Sequence, residues 1–134
     1  MKYNMFIGRY QSPHLGHMKL FDTYLNYGKP VLIAIRDVPN DSKNLLSARD
    51  IKTLFKTIYR KNPLVKVIII PDIKSVNYGR DVGYSVNCIN TDIVVESISG
   101  TYIRESILSG SDEWKKYVHE SIHAELKMLI ENSK

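Results

Sequence analysis

A chain of 134 residues has room for one domain of ordinary size and not comfortably for two, and a domain near that size buries roughly two-thirds of its unfolded surface without a disulfide or metal staple. With 43% hydrophobic and 25% charged residues it falls among globular chains, and no window approaches the ~18 apolar residues of a membrane span. Nineteen Lys and Arg against 14 Asp and Glu leave a net charge of +5, which suits an anionic partner; the basic residues are dispersed, with no run of five like charges, which argues against nucleic acid and membrane and leaves a phosphorylated small molecule.

In chain order, the apolar run within Met1 to Gly8 is too short for a signal peptide and no small-residue cleavage site follows, so a cytoplasmic protein is expected. Tyr3 to Ile7, bounded by Gly8, reads as a short buried strand. From about His14 to Tyr27, Met18, Phe21 and Leu25 fall at helical spacing, and Gly28 followed by Pro30 stops the helix. Val31 to Ile35 is a continuous β-branched and aliphatic run, the mark of a strand covered on both faces. Arg36 to Leu46 is polar and holds Pro39, so a loop is expected there. Ser47 and Asp50 have capping-box spacing, and Ile51, Leu54, Phe55, Ile58 and Tyr59 then form one apolar helical stripe. Val65 to Ile70 reads as a third strand, closed by Pro71. Ser75 to Asn90 reads as a loop and a short helix, and Asp92 to Val95 as a fourth, short strand. The single cysteine, Cys88, excludes an internal disulfide and suits a reducing compartment; a buried small hydrophobe is its expected role and a nucleophile the alternative. Ser99-Gly100-Thr101 forms a turn into a helix from Tyr102, and a last amphipathic helix carries Val118, Ile122, Leu126, Leu129 and Ile130.

Alternating strands and helices imply parallel pairing with right-handed crossovers. The expected architecture is α/β: residues 1–134 as a single domain, a Rossmann-like, doubly wound parallel sheet of about four to five strands with flanking helices. Ligands of such sheets bind beyond the carboxyl ends of the strands. That directs attention to Gly8 to His17, Arg36 to Ser47, Asp72 to Asp81 and Glu96 to Arg104.

His14 and His17 sit three apart where the first helix begins, so both imidazoles can share one face. A helix N-terminus offers free N–H groups and positive dipole to a phosphate. Gly8 would let backbone approach a ligand, Gly16 keeps bulk away from between the histidines, and Arg9 brings a charge that can fork onto phosphate oxygens. Two surface histidines without a role remain the alternative. A zinc site lacks a nearby third ligand. Ser99 and Thr101 could bond phosphate through hydroxyls and amides at a helix start, or serve only as a common helix cap.

Gly8-Arg9-Tyr10-Gln11-Ser12-Pro13-His14-Leu15-Gly16-His17 resembles the N-terminal motif of the HIGH-superfamily nucleotidyltransferases, and in its extended form that of archaeal-type nicotinamide mononucleotide (NMN) adenylyltransferases, which usually have Pro where this chain has Ser12. Ile98-Ser99-Gly100-Thr101-Tyr102-Ile103-Arg104 resembles the superfamily's C-terminal Ile-Ser-x-Thr-x-Ile-Arg motif. The segment from Lys43 to Arg49 is similar to the family's lysine-bearing loop before a helix, with a surface lysine as the alternative for Lys43 and an N-cap as the expected role of Ser47. The resemblance implies His14, His17, Lys43 and Arg104 as catalytic residues, and Gly8, Arg9, Tyr10, Gln11, Gly16, Ser99, Gly100 and Thr101 as nucleotide-binding ones. Acceptor candidates are Arg36, Asp37, Asp72, Tyr78, Arg80 and Asp81, with an ion pair as the alternative for Arg80 and Asp81. Here the match thins: the family's pyridine-stacking tryptophan has no counterpart, and the one tryptophan, Trp114, lies after the second motif.

The activity so implied is attack of an acceptor phosphate on the α-phosphate of a nucleoside triphosphate, with release of pyrophosphate. ATP is favoured over CTP and NMN over other acceptors. Mg²⁺ would be held mainly by nucleotide phosphates and water rather than by a protein cage. The alternatives are cytidylyl transfer to glycerol 3-phosphate, phosphocholine or a similar phosphorylated alcohol, and a nucleotide-binding module without catalysis. No nucleic-acid or membrane partner is expected, and a homo-oligomer stays open.

Overall fold

The computed structural model describes residues 1–80, 82–89 and 99–133 of the chain. Three strands, β1 (Asn4–Gly8), β2 (Val31–Asp37) and β3 (Val65–Pro71), lie parallel in the order β1-β2-β3. Helix α1 (Leu15–Leu25) carries the chain from β1 to β2, and α2 (Ala48–Ile58) from β2 to β3. The fold is therefore α/β, an open parallel sheet with flanking helices. Among the described residues the sheet has three strands rather than four or five, and its order never reverses. The strand expected at 92–95 lies outside the described residues, as do Asp81, Glu96 and Ile98.

Register explains which side chains form the core. Phe6 lies beside Ile33, and Ile33 beside Val67, so these three share one face. That face meets Phe21 of α1 and Leu54 and Phe55 of α2 in one apolar cluster. Phe6 and Phe21 pack edge to face at 5.2 Å. The central strand is buried on both faces as expected, with Val31, Ile33, Ala34 and Ile35 fully buried, whereas Met5 of β1, expected as a buried strand, and Ile69 of β3 are exposed. The polar loop expected from Arg36 begins two residues later, because Arg36 and Asp37 still pair with Ile70 and Pro71.

The C-terminal third comprises α3 (Gly100–Leu108), two 3-10 turns at Glu113–Tyr117 and Glu120–Ile122, and α4 (His123–Asn132). Val118 and Ile122, expected within the last helix, precede it. His123 Nε2 donates to the carbonyls of Lys115 and Val118, and the His119 ring accepts the Ser121 N–H, which folds this approach into tight turns. Val118 and Ile122 are buried all the same, in the apolar cluster that includes Trp114. Residues 75–80 and 82–89 contain no helix, contrary to the short helix expected there. Cys88 is exposed on this segment, which corrects its expected role as a buried hydrophobe.

Among the described residues, no helix is long and apolar enough to cross a membrane.

Candidate functional site

The carboxyl end of β1 leads directly into the cap of α1. His14 is extended (φ −147°, ψ 173°) and its Nδ1 accepts the Gly16 N–H at 3.0 Å. His17 Nδ1 accepts the His14 N–H at 3.2 Å. The result is a reciprocal capping box built from two imidazoles. A backbone N–H can only donate, so both Nδ1 atoms are unprotonated and each neutral ring carries its proton on Nε2. The rings stack with centroids 3.8 Å apart and planes 19° apart. Burial lowers the His14 pKa to about 4, and burial followed by the nearby His14 holds His17 well below the usual imidazole range. Near neutral pH the pair consists of two uncharged donors.

Tyr10 and Gly8 act together. Tyr10 adopts φ 54°, unusual for a residue with a side chain, and is held there by a buried ring that meets the edges of His17, Phe21 and Phe55. A Cβ at Gly8 would lie 3.0 Å from that ring. Gly8 thus makes room for Tyr10, whose ring braces His17, rather than only bringing backbone towards a ligand.

The opposite wall is the start of α3. Ser99 Oγ accepts the Tyr102 N–H at 3.1 Å. A Cβ on Gly100 would overlap the Gln11 carbonyl oxygen and lie 2.6 Å from its carbon, so only glycine lets this helix seat against the first motif. Arg104 is buried; it donates from Nη1 to the Gln11 carbonyl at 2.6 Å and from Nη2 to Thr101 Oγ1 at 3.1 Å. Burial and then Arg9 lower its pKa from a very high starting point, and it remains a cation. No carboxylate pairs with it among the described residues.

The third wall is the loop before α2. The Gln11 amide donates to the Leu46 carbonyl at 2.7 Å and accepts the Leu46 N–H at 3.0 Å. Arg9 Nη1 donates to Asn44 Oδ1 at 3.2 Å, and Asn44 Nδ2 donates to Asp41 Oδ1 at 3.0 Å. The same Asp41 oxygen accepts the N–H groups of Lys43 and Asn44, both at 2.8 Å, as in an Asx turn. Those bonds, the Lys43 N–H foremost, hold the Asp41 carboxyl below its usual pKa.

Together these walls enclose a cleft of about 590 Å³ lined by Phe6 to Ser12, His14, His17, Leu20, Lys43, Ser99 to Thr101 and Arg104. Its size is within the ordinary range for a small-molecule site. Among the described residues, three cations and no carboxylate line it. Two helix N-termini open onto it, neither with an acidic residue in its first turn. An anion is therefore the ligand its chemistry suits. All four catalytic candidates lie in its lining, as do Gly8, Arg9, Tyr10, Gln11, Ser99, Gly100 and Thr101; Gly16 is buried behind, its N–H spent on His14.

The acceptor candidates lie elsewhere. Arg36 donates from Nε and Nη2 to one oxygen of Asp72, at 3.0 and 2.7 Å, and so ties the end of β2 to the residue after β3. Asp37 is exposed. Tyr78 and Arg80 are exposed on the segment after β3, where Tyr78 meets Tyr84 edge on at 6.5 Å. A wider, open concavity of about 890 Å³ lies among residues 78–85, with none of the catalytic candidates in its lining. Asp81 lies outside the described residues.

Four residues with a place in this site escaped the sequence reading: Asp41, Asn44, Leu46 and Ser12. The Asp-x-Lys-Asn pattern was a readable signal for the Asx turn; the partners of Asn44 and Leu46, 35 residues distant, had none. Ser12 is fully buried and its hydroxyl has no partner among the described residues. The described residues contain no group of three or more His, Cys, Asp or Glu able to share a metal ion.

No protein-family model matches the chain, and no curated protein matches it either.

Proposed function

We propose that the chain is a nucleotidyltransferase that binds a nucleoside triphosphate in the cleft between the starts of α1 and α3. The observation that carries this reading is the convergence, in one cleft with no carboxylate among its described lining residues, of two neutral histidines, three cations and two helix N-termini. In this proposal the described strands are one half of a Rossmann-like, doubly wound sheet. The resemblance of the Gly8–His17 and Ile98–Arg104 motifs to the HIGH superfamily supports both parts.

An acceptor phosphate is already anionic at neutral pH and needs neither a general base nor a protein nucleophile. Its oxygen attacks the α-phosphorus, the bond to the β-phosphate oxygen breaks, and pyrophosphate leaves. The task for the protein is positioning and charge stabilisation. His14 and His17 suit it as uncharged donors, each with one Nε2–H left for an oxygen. Arg104, Arg9 and Lys43 supply positive charge around the phosphates. The described lining residues offer no carboxylate to ligate Mg²⁺, so the cation enters this proposal on the nucleotide's phosphates and water.

Adenylyl transfer leads on the resemblance of Gly8-Arg9-Tyr10-Gln11, with NMN as the first acceptor to try. Gln11 itself supports no base preference, because both ends of its amide are spent on Leu46. A cytoplasmic setting suits such substrates. The test is pyrophosphate release with ATP and CTP, each against NMN, nicotinate mononucleotide, glycerol 3-phosphate and phosphocholine. Release with ATP and a pyridine mononucleotide is expected. Release with CTP alone would overturn the adenylyl assignment, and release with no pair would overturn the enzyme reading.

A further inference from the structure

Arg9 stands at the cleft with a hydrogen bond to hold it and, among the described residues, no carboxylate paired with it. Its Nη1 meets the side-chain oxygen of Asn44, an uncharged amide. Asn44 is 6% exposed, and its orientation is settled by its other end, since Nδ2 donates to Asp41. The carboxylate that anchors this arrangement is thus one residue removed from the guanidinium, and it is occupied by the N–H groups of Lys43 and Asn44 as well. A carboxylate in place of the amide would hold Arg9 more tightly but would cancel much of the charge a phosphate needs.

We infer that Asn44 is a positioning residue, a neutral latch between Asp41 and Arg9 that fixes the guanidinium at the cleft while leaving its charge free for an anionic ligand. The same Asx turn sets the backbone of Lys43, so one anchor aligns two of the three cations of the cleft. Asn44 does this through other side chains and need not touch the ligand. The inference rests on the proposal that the cleft takes a triphosphate, and adds to it the residue that keeps Arg9 both ordered and unpaired.

The decisive variant is the swap D41N/N44D. It conserves net charge, moves the carboxylate onto Arg9 and leaves position 41 an oxygen for the N–H groups of the turn, while replacing the donor of the 44-to-41 side-chain bond with an acceptor. Binding of ATP, CTP and inorganic tripolyphosphate is measured by calorimetry on the full chain, with thermal unfolding alongside. The swap is expected to weaken binding by about fivefold or more, as for a charge-assisted hydrogen bond partly screened by solvent, while thermal unfolding registers separately the lost bond between positions 44 and 41. R9A is expected to weaken binding in the native background and to cost little further in the swap, a non-additivity that a merely structural role would not produce. N44A supplies a second reading should the swap unfold: it retains Arg9 but loosens it, and its loss of affinity should be smaller than that of R9A. Tight binding by the swap, or full additivity with R9A, would overturn the inference and leave the nucleotide site standing. Failure of the native chain to bind any of the three probes would overturn both.

Discussion

The cleft and the segment after β3 hold charged and aromatic residues in similar variety, yet they are built in opposite ways. In the cleft, side chains join stretches far apart in the chain: Arg104 reaches Gln11 across 93 positions, and Gln11 and Arg9 reach Leu46 and Asn44 across 35. Among the described residues of 75–80 and 82–89 the side-chain bonds are local, Asn77 to Ser75 and Asn87 to Ser85, and Tyr78 and Tyr84 are 63% and 58% exposed. A site fixed by long-range bonds is ordered before its ligand arrives and loses little entropy on binding. The contrast predicts a phosphate site that is pre-formed and an acceptor side that is not.

The largest expected effect tests pre-formation through the histidines. Their folded pKa values lie below the unfolded value near 6.5, so below that pH the unfolded chain binds more protons than the folded one. Stability is then fully present above pH 6.5 and falls as pH drops, through about 4 for His14 and over a range starting at the same point for His17. Well below 6.5 each ring should remove about 1.4 kcal/mol per pH unit. Urea unfolding between pH 5 and 7.5, where ordinary carboxylates titrate little, should show this decline. Nitrogen NMR should find both rings neutral at pH 6 with the proton on Nε2; a protonated ring there would mean the cap is not closed as described.

Next in size is His17→Ala. Losing one preorganised donor costs roughly 10²-fold in kcat, whereas Arg80→Ala on the outer segment should leave triphosphate affinity unchanged. Equal losses in the two variants would erase the distinction between the regions. Gly100→Ala follows. Its Cβ would collide with the Gln11 carbonyl, an overpacking cost of about 1–3 kcal/mol, and the start of α3 must shift to relieve it. Thermal unfolding and triphosphate titration should both register the change. A variant with native affinity would show that the two motifs need not touch.

What could be read beforehand follows the same division. Strands β1 to β3, α1 and α2 were legible because periodicity in Phe21, Leu54 and Phe55, and the aliphatic run of β2, report burial directly. The candidate residues of the cleft were legible as types at a spacing. Their couplings were not. That both Nδ1 atoms would be consumed by backbone, or that Gln11 would be spent on Leu46 instead of a base, depends on geometry that residue spacing does not encode. The last helix was misread because Val118 and Ile122 keep helical spacing while His119 and His123 bond locally and tighten the backbone ahead of them. Cys88 was assigned the burial typical of its type, but its neighbours in 82–89 offer no core to enter.

The smallest expected effect comes from Asp72→Asn, and it sharpens the boundary of the cleft. Arg36 and Asp72 are 30% and 45% exposed, and both hydrogen bonds fall on a single carboxylate oxygen, so the pair lacks the two-point geometry that makes such bridges strong. Discounted for solvent screening, it should contribute less than about 1 kcal/mol, and less again at high salt. An asparagine oxygen in the same place can accept both bonds, without the charge. Register places the pair at the ends of β2 and β3, outside the lining of the cleft, so triphosphate affinity should not change. A calorimetric titration of the variant decides how far the site extends. An unchanged triphosphate affinity with a raised acceptor KM would make Arg36 and Asp72 part of the acceptor side, and a loss of triphosphate affinity would carry the anion site across the sheet to β3.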